Sequence, residues 1–288
     1  MNTNTQCALS IVLPAKNEEQ AVGNTVSAIR ELWPDAEVLV VDDGSTDATA
    51  SVATAAGAKV VSHPYSKGNG AAIKTGARTA GGEILVFLDA DGQHAPVDIQ
   101  RLLERVEDGA DMVVGARQSG SQASVGRGVA NRFYNWLASY MVGHRVEDLT
   151  SGFRAVRATK FREFLHLLPN GFSYPTTSTM AFFRAGYSVE YIPIQAARRI
   201  GKSHIKIVKD GIRFLLIIFK IGTLYSPLKL FGPLALSFWS LGCVWYAYTY
   251  LMFGRFTNMS ALMFSVGTLV FLMGLISEQI TSLMYKDS

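Results

Sequence analysis

The chain has 288 residues, 49% hydrophobic and 17% charged, which is too apolar for a disordered polypeptide, sparse in charge for a wholly water-soluble one, and long enough for one large domain or two smaller ones. Its net charge of +4 is local: Arg198 to Lys229 holds eight Lys/Arg and one acid (Asp210), leaving 19 bases against 22 acids elsewhere, a balance that argues against a nucleic-acid binder. Cys7 and Cys243, the two cysteines present, exclude a disulfide framework and a Cys-based zinc site.

The N-terminus, Met1-Asn-Thr-Asn-Thr, lacks the basic-then-apolar pattern of a cleaved signal peptide. Leu9–Leu13, Glu37–Val41, Lys59–Val61, Ile84–Leu88 and Met112–Val114 are short apolar runs rich in β-branched residues and read as strands. Between them Val22, Val26, Ile29 and Trp33 share one helical face, as do Ile99, Leu102, Leu103 and Val106. Alternating strand and helix predicts an α/β fold, a mostly parallel sheet covered on both faces. Such sheets bind ligands outside the carboxyl ends of their strands.

Those ends are polar. The first strand runs into Pro14-Ala-Lys-Asn-Glu18, the second into Asp42-Asp-Gly-Ser-Thr-Asp47 and the fourth into Asp89-Ala-Asp-Gly-Gln-His94. Each alone is compatible with a turn and a helix N-cap; three acid-rich ends on one sheet edge point to a site. Asp89, Asp91 and Gln93 are hard oxygen donors suited to Mg²⁺ or Mn²⁺. No P-loop pattern is present, and Lys67-Gly-Asn-Gly70 departs from a dinucleotide fingerprint because Ile73 stands at the third glycine position. The helix opening at Gly70 can still approach a phosphate or a base edge. The five histidines show no metal-ligand spacing, and His94, beside Gln93, is the one next to the site.

Further along, Ile205 to Leu228 mixes Lys206, Lys209, Arg213 and Lys220 with Phe214-Leu-Leu-Ile-Ile-Phe219, which predicts juxtamembrane helices over 205–229 lying at anionic headgroups. Residues 230–253 and 256–277 are free of charged residues and histidine, each long enough to cross the roughly 30 Å hydrocarbon layer. A transmembrane hairpin is therefore expected, with a pair of buried core helices as the alternative. Trp245, Tyr246, Tyr248 and Tyr250 gather near the far end of the first span, as an interfacial belt does. The belt precedes the hairpin, Lys286 follows it, and Arg255 stands alone at the tip. The positive-inside rule puts the whole N-terminal region, both termini and the tail 278–288 in the cytoplasm, at the inner membrane. Gly242 and Gly267 offer faces through which hairpins could form a homo-oligomer.

The stretches Ile11–Glu19, Val41–Asp47, Lys67–Gly70, Phe87–Gln93, Gly115-Ala-Arg117 and Asp148-Leu-Thr-Ser-Gly-Phe153 together resemble the cytoplasmic GT-A domains of family-two glycosyltransferases. Within these the chain looks like the polyprenyl-phosphate group, which includes dolichyl-phosphate mannose synthases and members with two spans. The likeness covers about residues 8 to 205 and implies a GT-A domain over 1–204. It implies that Pro14, Ala15, Asn17, Glu18 and Asp42 surround the base and ribose of a nucleotide-sugar, with Asp43 supporting that pocket and Lys67, Gly70 and Ala90 adding to it. Asp89, Asp91 and Gln93 would hold a metal bridging the diphosphate, Asp148, Thr150 and Ser151 would lie near the sugar, and Arg199 and Lys202 would contact phosphates.

The resemblance further implies inverting transfer of a single hexose to a polyprenyl phosphate, undecaprenyl or dolichyl. A lipid phosphate is already ionised and needs cations to hold it in line, for which Arg117 and Arg127 are the candidates and Arg132 a weaker third. Gln195-Ala-Ala-Arg198 resembles the signature of processive synthases, but Arg199 stands where their Trp would be, which favours single transfer. The rival readings are transfer to a sugar or protein hydroxyl, which needs a base, and a non-catalytic membrane adaptor.

Overall fold

The computed structural model describes residues 8–117, 125–171, 173–195, 219, 223 and 226–284, with 125–131 and 284 described by backbone alone. The chain divides into two compact units, Met1–Tyr140 with His144–His204, and Met141–Gly143 with Ile205–Ser288.

The first unit is built on a seven-stranded sheet of order β3-β2-β1-β4-β6-β5-β7. Its strands are β1 (Leu9–Ala15), β2 (Glu37–Asp42), β3 (Lys59–Ser62), β4 (Ile84–Phe87), β5 (Met112–Arg117), β6 (Arg154–Arg157) and β7 (Val189–Ile194). The inner strands form from runs such as Ile11-Val-Leu13 and Val38-Leu-Val-Val41, every side chain of which is buried, as expected of strands covered on both faces. Pairing is parallel for β1 with β2 and β4, β2 with β3, and β5 with β7; β6 runs antiparallel between β4 and β5.

The mostly parallel α/β reading therefore holds, with two strands added. β6 escapes the apolar pattern because Arg154 and Arg157 bracket its two apolar residues. β7 carries Glu190 and Pro193 and lies at the sheet edge, where a missing N–H is tolerated. The strand directions bring the carboxyl ends of six strands, and the start of β6, to one edge.

Helices α1 (Val22–Leu32), α2 (Thr49–Ala55), α3 (Asn69–Thr79), α4 (Asp98–Glu107), α5 (Val125–Val142), α6 (Ala158–Glu163) and α7 (Tyr174–Arg184) accompany the sheet. α1 buries Val22, Val26 and Ile29, and α4 buries Ile99, Leu102, Leu103 and Val106, all within one core cluster with β1, β2 and β4. Trp33 follows the end of α1 as its half-buried cap.

In the second unit, α8 (Pro227–Phe253) and α9 (Asn258–Met284) are long and apolar enough to cross a membrane. Each has 27 residues, about 40 Å of helix, and both exceed the charge-free runs. α8 starts at Pro227 because proline suits the first helical turn, and it ends at Gly254, whose left-handed backbone (φ 62°) lets its N–H bond the Tyr250 carbonyl at 2.9 Å. α8 includes Pro227–Lys229 and α9 continues through Met284; of the expected juxtamembrane stretch 205–226, only 219, 223 and 226 are among the described residues, and 285–288 of the expected tail lie outside them.

Buried core helices are excluded as an alternative: the apolar side chains face outward, Val244 at 69% and Leu251 at 83% exposure. The helices meet through small residues. A Cβ on Gly242 would lie 3.2 Å from Phe264, on Gly267 2.6 Å from Trp239, and on Gly274 2.8 Å from Phe231. Gly242 and Gly267 thus serve contacts within the hairpin.

Candidate active site

The loops after β1 and β2 are laced together by their own polar groups. Ala15 at the end of β1 is level with Asp42 at the end of β2, and the Asp43 N–H donates to the Ala15 carbonyl at 2.8 Å. Asn17 takes a left-handed backbone (φ 54°), a conformation that asparagine tolerates better than most residues. Its N–H donates to Ser45 Oγ at 2.9 Å, and its Oδ1 accepts the Thr46 N–H at 2.9 Å. The Glu18 N–H donates to Thr49 Oγ1 at 2.9 Å, and buried Asp42 accepts the Ser45 N–H at 3.0 Å. Pro14 is half-buried and Ala15 buried beside this clasp.

Asp43 is the hub behind it. Its carboxylate accepts from Ser66 Oγ and from the N–H groups of Lys67 and Gly68, each at 2.8 Å, and meets His63 Nδ1 at 2.8 Å. The other His63 nitrogen pairs with Thr75 Oγ1 at 2.9 Å. Burial raises the Asp43 pKa, but His63, the Lys67 N–H, Ser66 and the Gly68 N–H outweigh it and bring the pKa down to about 2. Lys67 is exposed, its Nζ 5.7 Å from the Tyr65 ring centre. The backbone of 169–171 covers the start of α3: a Cβ on Gly68 would lie 2.3 Å from the Asn170 carbonyl oxygen, and one on Gly70 2.1 Å from that of Pro169. These two glycines are required by close packing of protein backbone.

At the end of β4, Asp89 and Asp91 are half-buried and Ala90 is buried, its carbonyl accepting from Thr25 Oγ1 at 3.4 Å. The Gln93 N–H donates to Asp91 Oδ1 at 3.1 Å. Buried His94 stacks on Phe153 with ring centres 5.2 Å apart and has Nε2 3.9 Å from Asp89 Oδ2. Burial lowers the His94 pKa against the opposing pull of Asp89 and Asp91, and its buried Nδ1 has no hydrogen-bond partner. Among the described residues no three of His, Cys, Asp and Glu are grouped to enclose a metal. Two hard carboxylates with an amide nearby fit an open Mg²⁺ or Mn²⁺ site, whose remaining ligands come from substrate oxygens and water.

Arg117, at the end of β5, is held by Asp148 through Nε to Oδ2 at 2.8 Å and Nη2 to Oδ1 at 3.0 Å, while Nη2 also donates to Thr150 Oγ1 at 2.6 Å. Thr150 caps the turn in return, its N–H on Asp148 Oδ1 at 3.0 Å. Burial lowers the Arg117 pKa, but Asp148 and then Asp89 raise it further; Asp148, raised by burial, is held below its ordinary value by Arg117. Ser151 is buried with an unpartnered hydroxyl. A Cβ on Gly152 would come within 3.2 Å of the Asp89 carboxylate, so the turn before β6 and the end of β4 are in contact. The Arg127 side chain, Arg199 and Lys202 lie outside the described residues; Arg132 is exposed on α5. Arg154 and His63 were not among the sequence candidates, because an arginine opening a strand and a lone histidine carry no spacing signal.

A mostly parallel sheet with its acidic strand ends gathered at one edge is the GT-A arrangement of nucleotide-sugar transferases. Glucosyl-3-phosphoglycerate synthase from Mycobacterium tuberculosis, in complex with phosphoglyceric acid, superposes with a TM-score of 0.61 at 23% identity, covering 75% of this chain and 79% of that one. The same enzyme with Mg²⁺ and uridine diphosphate gives 0.59 at 25% identity over 74% and 79%. The chain belongs to glycosyl transferase family 2, whose sequence model matches residues 10–166, and residues 226–283 match the GtrB C-terminal hairpin. It is a glycosyltransferase. It is 31% identical to the undecaprenyl-phosphate mannosyltransferase of Micrococcus luteus over 67% of this chain and 85% of that one. It is 32% identical to the polyprenol monophosphomannose synthase of Mycolicibacterium smegmatis over 66% and 77%. It is 27% identical to glycosyltransferase AglJ of Haloferax volcanii over 97% and 95%.

Proposed function

We propose that the chain transfers one hexose from a nucleotide-sugar, GDP-mannose or UDP-glucose, to a polyprenyl phosphate at the cytoplasmic face of the cell membrane, with inversion at the anomeric carbon. The observation that carries this reading is the fixed guanidinium of Arg117, clasped by Asp148 at 2.8 and 3.0 Å on the edge that also bears Asp89 and Asp91. With Nε and Nη2 given to Asp148 and Thr150, the guanidinium is held in one place, and its Nη1 donors are the ones that would meet an acceptor phosphate. The names of the relatives and the hairpin support a lipid as that acceptor.

In this reading Pro14, Ala15, Asn17, Glu18 and Asp42 receive base and ribose, Asp43 stiffens their loops, Lys67 and Ala90 complete the pocket, and Gly70 contributes by letting the 169–171 backbone pack against the start of α3. Asp89, Asp91 and Gln93 hold Mg²⁺ or Mn²⁺, which when bound stabilises the charge growing on the leaving diphosphate. Arg117 and Arg127 keep the acceptor phosphate in line, so that its oxygen bonds the anomeric carbon as the carbon–diphosphate bond breaks. The phosphate is ionised before it attacks, so no carboxylate base is required. Ser151 and Asp148 border the sugar, and Arg199 and Lys202 contact donor phosphates. The basic belt ahead of α8 favours both termini in the cytoplasm.

The test uses purified full-length protein in detergent with Mn²⁺ or Mg²⁺, undecaprenyl phosphate, and labelled UDP-glucose or GDP-mannose offered separately. Metal-dependent label in the organic phase is the expected result and names the donor. Label that reaches only water-soluble acceptors, or none from a wider donor panel, rejects the lipid acceptor.

A further inference from the structure

Arg154 opens β6 as a wholly buried arginine, 0% exposed. Among the described residues no carboxylate is in contact with it. Its Nη2 donates to the Ser151 carbonyl. Its Nη1 donates to Ser178 Oγ at 2.8 Å, the Pro175 carbonyl at 3.1 Å and Thr179 Oγ1 at 3.2 Å, and its guanidinium lies 5.8 Å from the Tyr174 ring centre. A buried charge without a contacting counter-charge is costly, and an apolar side chain of similar volume is the cheaper filling.

Packing of α7 does not call for this charge. The Pro175 carbonyl also accepts from Ser178 Oγ at 3.1 Å and Thr179 Oγ1 at 2.9 Å. The Ser151 carbonyl, by contrast, sits in the turn that builds the site. On one side of that turn Asp148 and Thr150 clasp Arg117, and Gly152 packs against the Asp89 carboxylate. From the other side Arg154 holds the Ser151 carbonyl, the Tyr174 hydroxyl donates to the Gly152 carbonyl at 3.3 Å, and Thr176 Oγ1 to that of Leu149 at 3.4 Å. Burial lowers the Arg154 pKa while Tyr174, Tyr191, Asp148 and Asp89 oppose it, so the two site carboxylates are within electrostatic reach.

We propose that Arg154 is a positioning residue for the donor site: through a charged hydrogen bond to the Ser151 carbonyl it sets the turn that packs on Asp89 and follows Asp148. A divalent cation and a nucleoside diphosphate then meet carboxylates already in place. The inference rests on the proposed role of Asp89 as a cation ligand.

The experiment measures Mn²⁺ binding by the full chain in detergent, from the free-Mn²⁺ electron paramagnetic resonance signal, with UDP or GDP present. Arg154→Met leaves the Ser151 carbonyl without its donor and frees the turn that packs on Asp89. Displacing the support of a metal ligand is worth about 10–100-fold in affinity, and acting through the turn this substitution is expected to weaken Mn²⁺ binding by about tenfold or more. Arg154→Lys, which keeps the charge, is expected to return affinity to within about threefold of wild type. Should Arg154→Met fail to fold, Arg154→Gln replaces it; it keeps a donor for the Ser151 carbonyl without charge, and about tenfold weakening is expected. Wild-type affinity in the neutral variant, even with a lowered Tm, overturns the positioning role, as does a Lys variant no better than the neutral one. No Mn²⁺ binding by the wild-type chain with either nucleotide overturns the cation-site reading, and the role of Arg154 with it.

Discussion

Arg117 and Asp148 form a two-point clasp, Nε to Oδ2 at 2.8 Å and Nη2 to Oδ1 at 3.0 Å, and the Arg117 N–H adds a third bond to Oδ2 at 3.2 Å. One carboxylate thus fixes both the backbone at the end of β5 and the guanidinium beyond it. Asp148→Asn keeps the shape but replaces one acceptor oxygen with an NH₂ group, which breaks the fork. Charge-assisted bonds of this kind are worth about 1.5–3 kcal/mol, so kcat/KM for undecaprenyl phosphate should fall roughly 10–150-fold. Nucleotide affinity, measured by calorimetry, should change little. Lost nucleotide binding with intact lipid kinetics would assign Asp148 to the donor side instead.

Asp91, two residues after Asp89, accepts the Gln93 N–H at 3.1 Å, which fixes the orientation of its carboxylate in the loop after β4. Asp91→Ala removes a charged oxygen donor from the proposed cation site. Metal assistance to phosphate departure is worth several kcal/mol, so turnover should drop by a factor on the order of 10² or more. Label transfer should no longer respond to Mn²⁺ concentration. An Asp91→Ala enzyme with the wild-type Mn²⁺ response would remove Asp91 from the metal set.

The parallel half of the sheet was legible because its strands are continuous β-branched runs. The acids after β1, β2 and β4 were legible because strand direction alone sends them to one edge. β6 was not: its decisive residue is a buried arginine whose Nη groups donate to the Ser151 carbonyl, three residues back, and to a carbonyl and hydroxyls of α7, 21 to 25 residues on. Gly70 illustrates a different limit. Its spacing resembles a phosphate-binding turn, yet what lies against it is the chain at Pro169, about a hundred residues downstream, a contact that no local pattern encodes. Asp148 both clasps Arg117, 31 residues before it in the chain, and accepts the Thr150 N–H; the first of these contacts lies beyond any local spacing.

Asp43 makes the first unit sensitive to acid. Its pKa of about 2 in the folded chain lies below the ordinary aspartate value of 3.8. The unfolded chain therefore takes up its proton first as pH falls, and the stabilisation present above about pH 4 is lost between there and pH 2. The difference amounts to about 2 kcal/mol. Thermal unfolding of the full chain in detergent should show a Tm falling over this range. Asp43→Asn should have a lower Tm at pH 7 and a flatter acid limb; an equally steep limb would place the acid sensitivity in another carboxylate.

Gly70 separates packing from ligand approach. A Cβ there would stand 2.1 Å from the Pro169 carbonyl oxygen and 2.8 Å from that of Gly171, both backbone atoms, whereas at Gly81 the nearest atom is Glu37 Oε2 at 3.8 Å. Backbone cannot swing aside as a side chain can, so Gly70→Ala must push the 169–171 segment away from α3. Overpacking of this kind costs about 1–3 kcal/mol. A Tm several degrees below wild type is expected, while Gly81→Ala stays near it. The Ala71 N–H, bonded to the Gly68 and Asn170 carbonyls at 2.9 and 3.2 Å, would be strained in the same movement, loosening the loop that presents its Lys67 and Gly68 N–H groups to Asp43. Nucleotide affinity should therefore weaken together with stability. If Gly70→Ala weakens nucleotide binding while its Tm matches wild type, the glycine serves the ligand directly and the packing account is wrong.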